Sequence, residues 1–232
     1  MSSLQFGMVL FPDLTHLDLA GPFEVFGRVP GATVRAVAAS REPVRSDTGL
    51  LWLPDLTFDE APAFDVICVP GGPGVNPAME DAALLEWLGR QAAGARFVTS
   101  VCTGALVLGA AGLLRGYRAT THWMSHGLLR HFGAEPVAAR VVIDRNRITG
   151  GGVTAGIDFG LTVAAELVGE AAARQIQLML EYDPAPPFDA GSPARADQTT
   201  VAAVRAGAAP YLDRRLAIVT RAAARLGLPP VA

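Results

Sequence analysis

Cysteine is scarce in this sequence: only Cys68 and Cys102 occur among 232 residues. Two thiols can build neither a disulfide framework nor a zinc cluster. This excludes small disulfide-rich domains and small domains that depend on a structural zinc ion. Cys68 lies inside the apolar run DVICVP, whereas Cys102 stands beside Thr103 and Gly104. We therefore expect both thiols to be reduced, and Cys68 to be inert packing.

Positive charge and long apolar runs are also lacking. The formal net charge is −3 and no run of Lys or Arg occurs, so nucleic acid is not expected as a partner. The first residues have no basic segment, and their apolar run is broken at Pro12 and Asp13, short of a signal peptide or membrane span. These absences predict a cytoplasmic protein that does not associate with membranes.

Half of the residues are hydrophobic, and their pattern alternates between strands and helices. Buried strands are predicted at Gln5–Phe11, Thr33–Ser40, Asp65–Pro70 and Arg96–Val101, hairpins at Val44–Leu53 and Val141–Thr149, and a short strand at Tyr117–Thr121. Helices are predicted from Asp18 with Pro22 in the first turn, and over Glu80–Ala93, Ala105–Leu114, Trp123–Phe132 and Ala155–Val168. The alternation predicts an α/β fold, a three-layer sandwich with a mostly parallel central sheet.

A proline-rich break divides the chain. We expect an α/β domain over residues 1–183, a linker over 184–198 and a helical extension over 199–232. The extension is rich in alanine and arginine, so we expect it to dock on the domain or on a partner subunit rather than fold alone.

Cys102 follows a predicted strand and directly precedes a predicted helix. Such a turn lies at the carboxyl edge of the sheet, where open α/β folds bind their ligands, so the sulfur is expected to be exposed. The positive end of the helix dipole favours a thiolate, which lowers the thiol pKa and makes Cys102 a candidate nucleophile. The alternative is a small buried residue that only fills space.

Asp18 lies among hydrophobic residues shortly after the first strand. Burial raises the pKa of a carboxyl group, and a neighbouring thiolate raises it further, so Asp18 is a candidate general acid near neutral pH. The alternative is a helix N-cap.

Glycines cluster at Gly71, Gly72 and Gly74, directly after another predicted strand. Their backbone N–H groups can stabilise negative charge in a neighbouring site, although a plain tight turn is the alternative. The spacing matches neither a dinucleotide fingerprint nor a phosphate-binding loop.

Three histidines follow Cys102 within a short stretch. The spacing of His122, His126 and His131, with Glu135 and Asp144 nearby, matches no zinc pattern, so no metal site is predicted. His126 and His131 fit a solvated helix face. The chain is expected to bring His122 back to the sheet edge that carries Cys102. Whether His122 acts there as a partner of the Cys102 thiol stays open.

Five motifs in this order resemble the ThiJ/PfpI superfamily, a class I glutamine-amidotransferase-like group. They are DLAGPFEVF, VPGGPG, the elbow SVCTGA, THW and GGGVTAGID, and the resemblance extends from Phe6 to about Glu181. Within the superfamily, Asp18 and the segment GVNPAMED resemble the isocyanide hydratases. Related regulator domains share the first two motifs, but they continue into a basic DNA-binding module that this tail does not supply.

The resemblance implies hydration of a small-molecule isocyanide to an N-substituted formamide by a hydro-lyase that needs no metal and no other cofactor. Cys102 would be the nucleophile that forms a thioimidate, and Asp18 the proton donor and acceptor. Gly72 and Thr103 would be pocket groups near the sulfur, and the Val153 carbonyl would accept a hydrogen bond from the thiol. His122 matches a superfamily position without an assigned catalytic role. A homodimer is also implied.

Two other readings stay open. One is a different cysteine-dependent enzyme of the superfamily, glyoxalase-like or amidase-like. The other is a non-enzymatic thiol or ligand sensor in which Cys102 is oxidised rather than turned over.

Overall fold

The computed structural model describes residues 3–231 and is built around one seven-stranded sheet. Its strands are β1 (Leu4–Val9), β2 (Ala32–Ala38), β5 (Leu56–Thr57), β6 (Val66–Val69), β7 (Phe97–Ser100), β10 (Val141–Asp144) and β11 (Arg147–Gly150). They are ordered β10-β11-β7-β6-β1-β2-β5. Two small sheets are formed by β3 (Val44–Arg45) with β4 (Leu51–Trp52), and by β8 (Arg118–Ala119) with β9 (Glu135–Pro136).

All pairs in the central sheet are parallel except β10 with β11, which form an antiparallel hairpin. Strand β6 is buried at every residue, as its continuous apolar sequence predicts for a strand covered on both faces. Because the strands are parallel, the loops after β1, β6, β7 and β11 leave the sheet at one edge. This edge carries the candidate site.

Two groups of helices cover the sheet. One contains α1 (His16–Phe26), α5 (Ala155–Val168) and α6 (Glu170–Met179); the other contains α2 (Val75–Ala78), α3 (Ala82–Ala92), α4 (Gly104–Ala110), a 3-10 helix (Trp123–Phe132) and α7 (Gln198–Arg225). The predicted three-layer α/β fold with a mostly parallel sheet is confirmed.

Three sequence-based predictions of elements differ from the structure. Helix α1 begins at His16, before Asp18, so Pro22 lies inside the helix and not in its first turn. The segment Trp123–Phe132 is a 3-10 helix, and the two-residue strand β5 was not predicted. Pro22 is accommodated because Gly156 of α5 faces it and leaves room for its ring.

Helix α7 packs against the 3-10 helix and α4 of the same chain. Its Arg221 pairs with Glu80, and its Arg225 donates a hydrogen bond to the Met79 carbonyl at 3.0 Å. Val219 and Ala222 are fully buried on the same helix. Apolar burial and side-chain hydrogen bonds therefore both attach the 28-residue helix to the domain.

The first residue of α4 must be small for the helix to start where it does. A Cβ atom at Gly104 would collide with the backbone carbonyls of Val69 and Pro70 at the end of β6. We expect Gly104→Ala to lower the free energy of unfolding by about 2 kcal/mol, measured by urea denaturation, because the backbone cannot retreat.

The matched control is Gly207→Ala on α7, where an added Cβ meets nothing within 4 Å. In that variant the free energy of unfolding should stay unchanged or rise by up to about 1 kcal/mol, because alanine is the better helix former. Equal effects at the two positions would contradict the close approach of α4 to β6.

Candidate active site

Cys102 occupies a sharp turn between β7 and α4. Its φ of 54° is unusual for a residue with a side chain and marks backbone strain. The turn is fixed by two hydrogen bonds: the Cys102 N–H donates to the Gly150 carbonyl at 3.1 Å, and the Cys102 carbonyl accepts from the Thr121 hydroxyl at 2.7 Å. The structure therefore supports this conformation from both neighbouring segments.

The expectations of an exposed sulfur and a lowered thiol pKa are wrong. Cys102 is only 5% exposed. Burial, followed by the negative charge of Asp18, raises the pKa of its thiol well above the usual value, and the opposing hydrogen bonds from Thr103 do not compensate. The thiol is therefore neutral at rest and needs a base before it can attack. The cost of desolvating a buried thiolate outweighs its stabilisation by the helix dipole.

Asp18 is the third residue of α1 and is fully buried. Its Oδ2 accepts a hydrogen bond from the Gly71 N–H at 2.9 Å, while Oδ1 is buried without a hydrogen-bond partner. The N-cap interpretation is wrong, because the N-cap is Thr15 and the Asp18 carboxyl group faces the end of β6.

The protonation of Asp18 is coupled to that of Cys102. Burial raises the pKa of Asp18 from 3.8 to about 7, although the hydrogen bond from Gly71 and the neighbouring Cys102 thiol lower it. A carboxyl group that titrates near neutrality beside a thiol can both remove and return a proton at that sulfur. The pair has the properties of a nucleophile with its acid–base partner.

The glycine turn after β6 contacts both Asp18 and the residue that follows Cys102. The Gly72 N–H donates to Thr103 Oγ1 at 3.0 Å, next to Cys102. A Cβ at Gly71 would lie 2.7 Å from Asp18 Oδ2 and from Thr103 Oγ1, so only glycine fits there. The N–H groups of both glycines are thus engaged by protein acceptors and are not free donors for a developing charge.

Two further predicted residues lie on neighbouring segments. His122 is half-buried, and burial followed by the charge of Arg215 lowers its pKa, so it is neutral near pH 7. The Val153 carbonyl accepts from the Gly156 N–H at 3.3 Å in the first turn of α5. Its predicted contact with the Cys102 thiol stays a prediction.

Sequence reasoning did not assign Arg215 and Tyr211 of α7 to the site. Arg215 is only 3% exposed and donates to the Gly72 carbonyl at 3.3 Å, and the Tyr211 hydroxyl donates to the Pro73 carbonyl at 3.3 Å. The four-residue spacing places both on one helix face, which was the available signal. Nothing local indicated that this face reaches the glycine turn.

No group of three or more His, Cys, Asp or Glu side chains suited to a metal ion occurs within residues 3–231. In the same range, no helix has the length and hydropathy needed to span a membrane.

Several known proteins are similar to this chain in sequence and in structure. The model of the DJ-1/PfpI family matches residues 7–166. The isonitrile hydratase of Pseudomonas putida is 56% identical over 226 residues, which cover 97% of this chain and 99% of that protein. A ThiJ/PfpI family protein from Pseudomonas syringae, known as a crystal structure, has a TM-score of 0.92 at 46% identity and covers 94% of this chain and 91% of its own.

A regulator is also similar. The HTH-type transcriptional regulator GbdR of Pseudomonas aeruginosa is 30% identical over 187 residues, which cover 76% of this chain and 50% of that protein. From the family match over most of its length and from its cysteine elbow, the chain belongs to the DJ-1/PfpI family.

Proposed function

We propose that this protein is an isocyanide hydratase, which adds water to an isocyanide, R–N≡C, to give an N-substituted formamide. The observation that carries the reaction type is the buried pair of Cys102 and Asp18, in which a thiol meets a carboxyl group that titrates near pH 7. Identity of 56% to the Pseudomonas putida isonitrile hydratase over nearly both full lengths supports the substrate class.

The first half-reaction places sulfur and hydrogen on the isocyanide carbon. The Asp18 carboxylate takes the thiol proton, and the resulting acid delivers it to the carbon lone pair. The sulfur lone pair of Cys102 forms the C–S bond while one C–N π pair becomes a nitrogen lone pair. The product is a thioimidate, R–N=CH–S–, and Asp18 is again a carboxylate.

The second half-reaction adds water. Asp18 takes a proton from a water molecule while the oxygen of that water attacks the thioimidate carbon. The π pair of the C=N bond moves to nitrogen, which then takes the proton from Asp18. The C–S bond then breaks with its electrons going to sulfur, while the hydroxyl proton passes through Asp18 to the thiolate. The formamide leaves and the thiol is restored. Every step uses side chains of this chain and water.

The buried acid beside the sulfur favours this function over a thiol sensor. Oxidation by peroxide needs only a thiolate, whereas turnover also needs an acid–base partner that returns the proton, and Asp18 with its pKa of about 7 supplies one. A glyoxalase-like or amidase-like reaction would use the same pair, so turnover of an isocyanide is what separates those alternatives.

We expect purified protein to convert an aryl isocyanide to its formamide and Cys102→Ala to abolish this turnover, because no other group can form the thioimidate. The measurement is formamide production by chromatography. The control is Cys68→Ala, because Cys68 is fully buried in β6, where burial raises its thiol pKa to about 12. An active Cys102→Ala variant would refute the mechanism, and an inactive parent would refute the proposed substrate class.

We expect Asp18→Asn to lower kcat by on the order of 10²-fold or more, since an amide keeps the shape but cannot carry the proton. Steady-state kinetics with the same isocyanide measure it. Near-normal turnover would assign Asp18 a purely structural role.

The same variant separates activity from folding. With the folded pKa raised from 3.8 to about 7, the contribution of Asp18 to stability is fully present below about pH 4 and is lost as pH rises through 7. Asp18→Asn should therefore remove part of the decline in the free energy of unfolding between pH 4 and pH 8. A variant that loses both activity and stability at pH 8 would indicate misfolding instead.

We also propose a homodimer located in the cytoplasm, without nucleic acid as a partner. The exposed apolar side chains of Leu178 and Met179 on α6 supply a surface suited to a second copy. Light scattering coupled to gel filtration should give twice the mass of 24.2 kDa. A monomeric mass at micromolar concentration would contradict the dimer.

A further inference from the structure

Arg215 is a buried cation without a buried anion. Its side chain donates from Nε to Asn76 Oδ1 at 2.9 Å, from Nη1 to Ser125 Oγ at 2.8 Å, and from Nη2 to the Gly72 carbonyl and the Tyr211 hydroxyl. Every one of these acceptors is neutral. A guanidinium that is 3% exposed normally has a carboxylate partner, because burying an isolated charge is costly.

The acceptors of Arg215 converge on the candidate site. Gly72 accepts from Arg215 through its carbonyl and donates through its N–H to Thr103, the residue after the nucleophile. Gly71, one peptide earlier, donates to Asp18. A single turn of backbone therefore connects the guanidinium to Asp18 and to Thr103, which follows Cys102 in the chain.

The charges around the pair come from several elements. Asp18 on α1 and Tyr211 and Arg215 on α7 interact electrostatically with Cys102, and burial followed by the charge of Arg215 lowers the pKa of His122. Asp47 acts on Asp18 from the loop after β3. Among these charged groups, Arg215 is the buried cation. It can balance the single negative charge that Cys102 and Asp18 carry together once one of them loses a proton.

We propose that Arg215 is a positioning residue for the isocyanide hydratase reaction, which holds the Gly71–Gly72 turn against the reacting pair and supplies the positive charge that balances its anion. This inference rests on the proposed function and deepens it: α7 becomes part of the active site. The missing counter-ion of Arg215 is the single negative charge that Asp18 and Cys102 carry when one of them is deprotonated.

Two substitutions separate the two contributions. Arg215→Met removes the charge and the hydrogen bonds but keeps much of the apolar stem. We expect kcat to fall roughly 10- to 100-fold with a smaller change in KM, and the pH profile of Cys102 alkylation by iodoacetamide to shift upward by about one unit. Mass spectrometry of the modified peptide assigns the alkylation to Cys102 rather than Cys68.

Arg215→Lys keeps the positive charge but loses the planar guanidinium group. Only that group can donate hydrogen bonds to Asn76, Ser125 and Gly72 at the same time. We expect its alkylation profile to stay close to that of the parent while kcat falls about 10-fold. This variant keeps the proposal testable if Arg215→Met does not fold, because unchanged kcat in Arg215→Lys would refute the positioning role.

The matched control is Arg221→Met on the same helix, where the arginine forms an exposed pair with Glu80. It should match the parent in kcat and in alkylation profile. A parent-like alkylation profile in folded Arg215→Met would overturn the electrostatic role. Alkylation needs no isocyanide, so a parent that fails to hydrate isocyanides would refute the proposed function and leave this measurement to decide the inference.

Discussion

The close approach of two neighbouring strand ends is the constraint on which the site depends. Parallel strands β6 and β7 end side by side, so the glycine turn after β6 lies against the Cys102 elbow after β7. Gly71 and Gly72 bridge this gap with N–H groups that hold Asp18 and Thr103. A side chain at Gly71 would occupy the space between Asp18 and Thr103.

The site concentrates features that oppose folding. Cys102 has a positive φ, Asp18 is a buried acid with one carboxylate oxygen unpartnered, and Arg215 is a buried cation among neutral acceptors. Such costs are tolerated where the surrounding structure is well packed, as it is around the fully buried β6. A carboxyl group of raised pKa and a buried cation at the same edge of the sheet are features that cluster at functional sites.

Apolar periodicity predicts some elements with their observed bounds and misplaces others. The order of strands and helices followed from apolar periodicity, and α5 was predicted with its observed bounds, Ala155–Val168. Helix α1 begins earlier than a first-turn position for Pro22 predicts, because Gly156 across the helix contact makes room for the proline ring inside the helix. Local rules fail where a distant residue removes the usual penalty.

The sequence by itself determined the fold class, the elbow at Cys102, the candidate acid at Asp18 and the superfamily, because each depends on local patterns. Only the tertiary structure decided that the thiol is buried and neutral, that the glycine N–H groups are engaged, and that Arg215 reaches the site. Desolvation and long-range contacts depend on which segments surround a group. Those segments come from distant parts of the chain, and no local pattern records them.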